Sequence, residues 1–112
     1  MRKLVILILT YILFASGCEK NKYDAPGCIE DKINEFKTTT VCDNGAYVAI
    51  YTFKGKNVYL FDEGTCGADL EESVYSEDCY KLGSLGGITG NMMISGVKFY
   101  EEAKFVKRIW EN

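Results

Sequence analysis

Between residues 28 and 61 the spacing of apolar side chains changes from a helical to a strand period. In "CIEDKINEFK" Ile29, Ile33 and Phe36 recur at i, i+4 and i+7, the signature of one helix face. Glu30 and Asp31 fall in the first turn, where carboxylates suit the macrodipole, so a helix is predicted over 28–37. The stretch "AYVAIYTFKGKNVYLF" then sets two β-branched and aromatic runs on either side of "KGK". Gly55 can take the positive φ that a tight reversal demands, and the pair reads as a β-hairpin. Val48 and Ile50 alternate with Tyr47, Tyr51 and Phe53, and Val58 and Leu60 with Tyr59 and Phe61, so both hairpin faces are apolar. One face can take the helix stripe. The other needs a cover from the C-terminal half, failing which its tyrosines form an exposed aromatic face.

Beyond the hairpin the pattern is less regular. "ADLEESVY" reads as a short helix with its acids outward, and "LGSLGGITGN", with Gly83, Gly86, Gly87 and Gly90, reads as left-handed turns and close backbone packing. A short strand is expected at Met93–Ser95, then a helical turn and a final strand over 105–110, with Trp110 closing the core. The fold class that follows is α+β: one N-terminal helix packed on a small antiparallel sheet built round the central hairpin.

The N-terminus carries a different signal. "MRK" is a short basic segment, and "LVILILTYILFA" is an apolar run that ends in Ser16 and Gly17. These are the parts of a secretory signal peptide. A membrane-spanning helix needs about 20 apolar residues, more than this run supplies. The small residues lead directly into Cys18, and "ASGC" resembles the lipobox of bacterial lipoproteins. That resemblance implies a diacylglyceryl group on the Cys18 thiol and cleavage between Gly17 and Cys18, so that residues 1–17 are removed. Residues 18–27 then serve as lipid-bearing cysteine and tether, and 28–112 as a single domain. Acylation of this kind exceeds the two-signal threshold for stable anchoring.

Removing residues 1–17, with Arg2 and Lys3, leaves 95 residues, 11 basic against 16 acidic, a net charge of −5. That is enough chain for one small domain. An acidic balance argues against nucleic acid and against anionic headgroups as partners, so the membrane contact is assigned to the lipid on Cys18. With Cys18 set aside, Cys28, Cys42, Cys66 and Cys79 remain. An even count in an exported small domain reads as two disulfides. Zinc is disfavoured because structural sites want ligand pairs about two to four residues apart, and the chain has no His. If Thr38–Cys42 runs back along the helix, Cys42 returns to Cys28, and the expected pairing is Cys28–Cys42 with Cys66–Cys79.

Residues 57–80 hold Asp62, Glu63, Asp69, Glu71, Glu72, Glu77 and Asp78 and no Lys or Arg. The order of oxygens in "DEGTCGADLEE" does not follow a calcium loop, and no metal is expected. The glycine stretch lacks the strand, helix, Lys and Ser/Thr context of a phosphate cradle. Without His there is no Ser–His or Cys–His dyad, so neither a catalytic residue nor a cofactor is assigned. The expected role is a non-enzymatic binding module, with an inhibitor of a cationic envelope hydrolase and a structural envelope component as rivals. Its candidate partner-binding residues are Tyr47, Tyr51, Tyr59, Asp69, Glu71 and Glu72, disposed towards a basic protein.

"CIEDKI", "YTFKGKNVYLFDEGTCGADL", "VYSEDC", "LGSLGGITGN" and the closing "IW" resemble a family of small Bacteroidota lipoproteins carrying a domain of unknown function. The resemblance implies an outer-membrane address in a diderm cell and hands over no catalytic residue. Glu19, following Cys18, avoids the Asp that retains enterobacterial lipoproteins in the inner membrane. The anchor is testable: Cys18→Ala is expected to abolish metabolic labelling with palmitate and to leave uncleaved precursor, and undiminished labelling would refute the assignment.

Overall fold

The computed structural model describes residues 22–39 and 42–112; the signal segment 1–17 and Cys18 lie outside the described residues. Helix α1 spans Gly27–Thr39 and is followed by β1 (Tyr47–Phe53), β2 (Lys56–Asp62), β3 (Glu71–Ser76) and β4 (Lys81–Gly86). Short strands β5 (Met93–Ile94) and β6 (Val97–Lys98), the turn α2 (Phe99–Glu102) and β7 (Lys104–Glu111) complete the chain. Five strands form one antiparallel sheet in the order β4-β3-β2-β1-β7, and β5 and β6 make a separate two-stranded ribbon.

The β1–β2 hairpin sits near the middle of the sheet. Its two-residue turn has φ of 51° at Lys54 and 77° at Gly55, the pair of positive values that matches strand twist in a tight hairpin. Register Val48↔Phe61 and Ile50↔Tyr59 gathers four apolar side chains on one face, and Ile29 and Ile33 of α1, both fully buried, pack against them. Phe36 extends the contact edge-on to Phe61 and Trp110, at centroid distances of 5.3 and 5.7 Å. The opposite face carries Phe53, Val58 and Leu60, continued by Val74 of β3 and Leu85 of β4, and its cover comes from Ile94 and the fully buried Phe99. The C-terminal half therefore supplies the second layer that the two-faced hairpin requires. Burying a side chain the size of Phe99 contributes about 2–3 kcal/mol. Gly83 makes room on this side, since a Cβ there would stand 2.7 Å from Ile94 Cδ1.

Two expectations are corrected. "ADLEESVY" does not form a helix: Glu71–Ser76 is β3, paired Leu60↔Val74 and Phe61↔Ser73. The hairpin leaves a row of unpaired backbone groups along β2, and a segment that places Val74 on the second core while satisfying that row outcompetes one turn of helix. The disulfides join Cys28 to Cys79 and Cys42 to Cys66, with Cα separations of 6.2 and 5.6 Å, not Cys28 to Cys42 and Cys66 to Cys79. Cys79 and Cys66, the partners that the two cysteines meet, flank β3 at its two ends, and six residues of strand extend about 20 Å. Cys28 and Cys42 are thus held at opposite ends of the sheet, beyond the ~7 Å that a bridge tolerates. Cys28 meets the β3–β4 turn; Cys42 meets the β2–β3 connection.

Non-reducing peptide mapping is expected to recover Cys28–Cys79 and Cys42–Cys66. Replacing either pair with alanines is expected to lower unfolding free energy in urea by ~2–5 kcal/mol, and Phe99→Ala by ~3–5 kcal/mol. Loss of neither would place the stability of the domain elsewhere.

Candidate functional site

Helix α1 covers β1 and β2 and reaches Trp110 of β7, but it leaves the β3–β4 side of the same sheet face open. Between the helix and these strands lies a groove in two lobes of about 200 and 570 Å³ that share Glu63 and Ser73. The inner lobe is walled by Lys32, Glu35 and Phe36 of α1, with Phe61 and Tyr75 as an aromatic strip. Those rings meet edge-on at 5.3 Å, and Lys32 Nζ sits 4.4 Å from the Tyr75 centroid, a cation–π contact. The outer lobe gathers Asp69, Glu71, Lys81 and Ile88. Four carboxylates, Glu35, Glu63, Asp69 and Glu71, thus face two lysines along one channel.

Ile88 is 87% exposed at the tip of a braced loop. Gly86 and Asn91 exchange backbone hydrogen bonds of 2.8 and 3.1 Å, and the Gly90 N–H donates to the Gly87 carbonyl at 3.2 Å. Positive φ at Gly86, Gly87 and Gly90 is what lets the chain reverse there. Asn91 Nδ2 donates to the carbonyls of Ser84 and Met93 at 2.8 and 2.9 Å. A large apolar side chain is consequently presented on a backbone that has little freedom to withdraw it.

The six partner-binding candidates from the sequence do not share one face. Asp69 and Glu71 come together in the outer lobe. Tyr59 is buried beneath α1 and has no surface to offer. Glu72 points to the other side of the sheet from Glu71, as strand alternation requires, and there joins Tyr47 and Tyr51. The Tyr100 hydroxyl donates to Glu72 Oε2, while the Arg108 guanidinium lies 3.9 Å above the Tyr47 ring. Tyr51 is ringed by Phe99, Tyr100 and Phe105. Burial, reinforced by the charges of Asp62 and Glu72, raises the Tyr47 phenol to about 12. Burial likewise raises the Glu72 carboxyl; the Tyr100 hydrogen bond opposes this and Asp62 adds to it. These groups are engaged with one another, so the cluster locks α2 onto the sheet.

Sequence reasoning missed Tyr75, Ser73, Lys32 and Ile88. The first two follow once 71–76 alternates as a strand; Lys32 and Ile88 depend on which elements the fold sets beside the open face. Among the described residues no group of three or more His, Cys, Asp or Glu is disposed to hold a metal ion, and no helix is long and apolar enough to cross a membrane.

No curated protein and no solved structure matches this chain. The family described as Domain of unknown function (DUF6970) matches residues 34–112, a stretch that starts within α1, takes in every strand and includes Cys42, Cys66 and Cys79. With most of its length covered in this way, the chain belongs to the DUF6970 family.

Proposed function

We propose that this protein is a non-enzymatic binding module of the cell envelope, anchored in the outer membrane by lipid on Cys18, whose groove receives a basic segment of a protein partner. The single observation that carries this proposal is the line of Glu35, Glu63, Asp69 and Glu71 beside the Phe36, Phe61 and Tyr75 rings on the uncovered half of the sheet. Carboxylates of one sign steer a cationic partner and raise its association rate, while desolvated aromatic surface supplies the anchoring energy. The export signal ending in "ASGC" supports the address; Tyr23 and Ala25 pack on the core and Asp24 pairs with Lys107, so the folded domain begins ahead of Cys28, the expected tether over 18–27 shortens to the few residues after Cys18, and the domain is kept near the membrane.

A second reading, inhibition of a cationic envelope hydrolase, is favoured by the braced Ile88 loop. A rigid exposed side chain enters a pocket at little entropic cost. The two readings differ in where affinity resides.

Capture with the mature chain, followed by kinetics on the captured partner, is expected to show a basic protein whose affinity falls steeply from low to high salt. Asp69→Lys with Glu71→Lys is expected to slow association roughly tenfold or more with a smaller change in dissociation. Glu72→Lys is expected to lower stability, because it breaks the contact with Tyr100 on the far face. If Ile88→Asp removes binding while the groove variants do not, the inhibitor reading stands. An acidic partner, or one indifferent to salt, would refute the groove.

A further inference from the structure

The chain enters the domain beside β7. Asp24 Oδ2 accepts a hydrogen bond from Lys107 Nζ at 2.9 Å, and the Tyr23 N–H donates to Glu30 Oε1 of α1 at 2.7 Å. Lys107 stands opposite Ile50, midway along a strand that forms one edge of the sheet. Four peptide steps separate Lys22 from Cys18, at most about 14 Å of extended chain. A lipid on Cys18 therefore sets the bilayer surface close to the β7 edge, whereas β4 lies four interstrand steps across the sheet, about 19 Å away.

That edge carries an apolar strip. Phe105 and Val106 are 58% and 50% exposed. The Phe105 ring lies 5.6 Å from that of Tyr51, and Tyr51 lies 6.2 Å from Tyr100, so the strip runs from the edge onto α2. Lys104, exposed beside Phe105, has the long stem that lets an ammonium stay in water while its methylenes lie along an apolar boundary.

Two features narrow the occupant. β7 passes Val106 and Ile109 without a partner on β1, at two shifts of register. Bulges of this kind turn an edge away from an incoming strand, so the exposed pair is not offered to a second sheet. The other surface beside Tyr23, the outward side of α1, exposes Asp31, Asn34, Glu35 and Thr38, which belong in water. Aromatic and apolar side chains next to an anchor settle instead at the boundary between headgroups and acyl chains.

We propose that the β7 edge is the membrane-facing surface of the domain, with Phe105 and Val106 entering the headgroup–acyl boundary beside the lipid on Cys18. This rests on the reading of Cys18 as the lipid-bearing residue. The contact is apolar and needs no anionic headgroup, in keeping with an acidic chain. It also orients the acidic groove. β3 is three interstrand steps from β7, so Glu71 is held about 14 Å from the docked edge, open to a partner arriving from the aqueous side.

The mature lipidated protein in phosphatidylcholine vesicles, with and without brominated acyl chains, tests the assignment. Trp110 is the one tryptophan of the chain, so Trp110→Phe gives a dark background in which Val106→Trp or Ile88→Trp places a single reporter. Both positions are exposed, so the unfolding midpoints of the two reporter variants should match. Bromine is expected to remove roughly half the emission at 106 and to leave that at 88 within about a tenth of its value, at low and high salt alike. Adding Phe105→Asp is expected to abolish the loss at 106 while the protein still floats with the vesicles. Absence of flotation by the parent would refute the lipid on Cys18 and the docking with it. Flotation with equal quenching at 106 and 88, or quenching at 106 that survives Phe105→Asp, would overturn the docking alone. An emission shift at 106 that rises with protein density and ignores bromine would overturn it in favour of a second copy of the chain.

Discussion

A β-hairpin with apolar side chains on both faces can be stable in water only as a middle layer, and that constraint governs this molecule. Val48, Ile50, Tyr59 and Phe61 on one side and Phe53, Val58 and Leu60 on the other each demand a cover, because apolar surface left in water forfeits about 25 cal/mol per Å². Helix α1 answers the first demand. The β5–β6 ribbon and α2 answer the second, with Phe99 as the central plug. The unpaired edges of the hairpin then recruit β3 and β7, and β4 follows β3.

The covers are unequal, and the inequality creates surface. One helix is too narrow to span five strands, so the β3–β4 side stays open and its inward residues, Glu71, Ser73 and Tyr75, line a groove instead of a core. On the far side the cover is tighter, and Tyr47, Tyr51, Tyr100, Glu72 and Arg108 satisfy one another. The same strand therefore sends Glu71 to one environment and Glu72 to the opposite one. Charge that looks like a single acidic run along the chain becomes two unrelated sets in space.

The disulfides act at the two ends of the helix-bearing layer. Cys28–Cys79 holds the start of α1 to the β3–β4 turn, and Cys42–Cys66 holds the chain just beyond its end to the β2–β3 connection. Gly64 allows the second junction to close, since a Cβ there would lie 2.7 Å from Cys42 Cβ. The acidic groove borders one of these junctions, which links the small size of the domain to the rigidity of its concave surface.

Much of this architecture is legible in the sequence. The helical spacing of Ile29, Ile33 and Phe36, the alternation around Gly55, the final strand ending at Trp110 and the presence of two disulfides are local or compositional signals, and the structure carries all four. What the sequence could not decide depends on distance across the fold. The pairing of the cysteines turns on the direction in which the chain leaves α1. The strand at 71–76 turns on an edge that β2 had to offer, because a six-residue segment carries too little periodicity to choose for itself. The acidic groove turns on how far one helix reaches across five strands. Local pattern specifies which face of each element is apolar; only the assembled layers determine which of those faces, and which charges beside them, remain open to a partner.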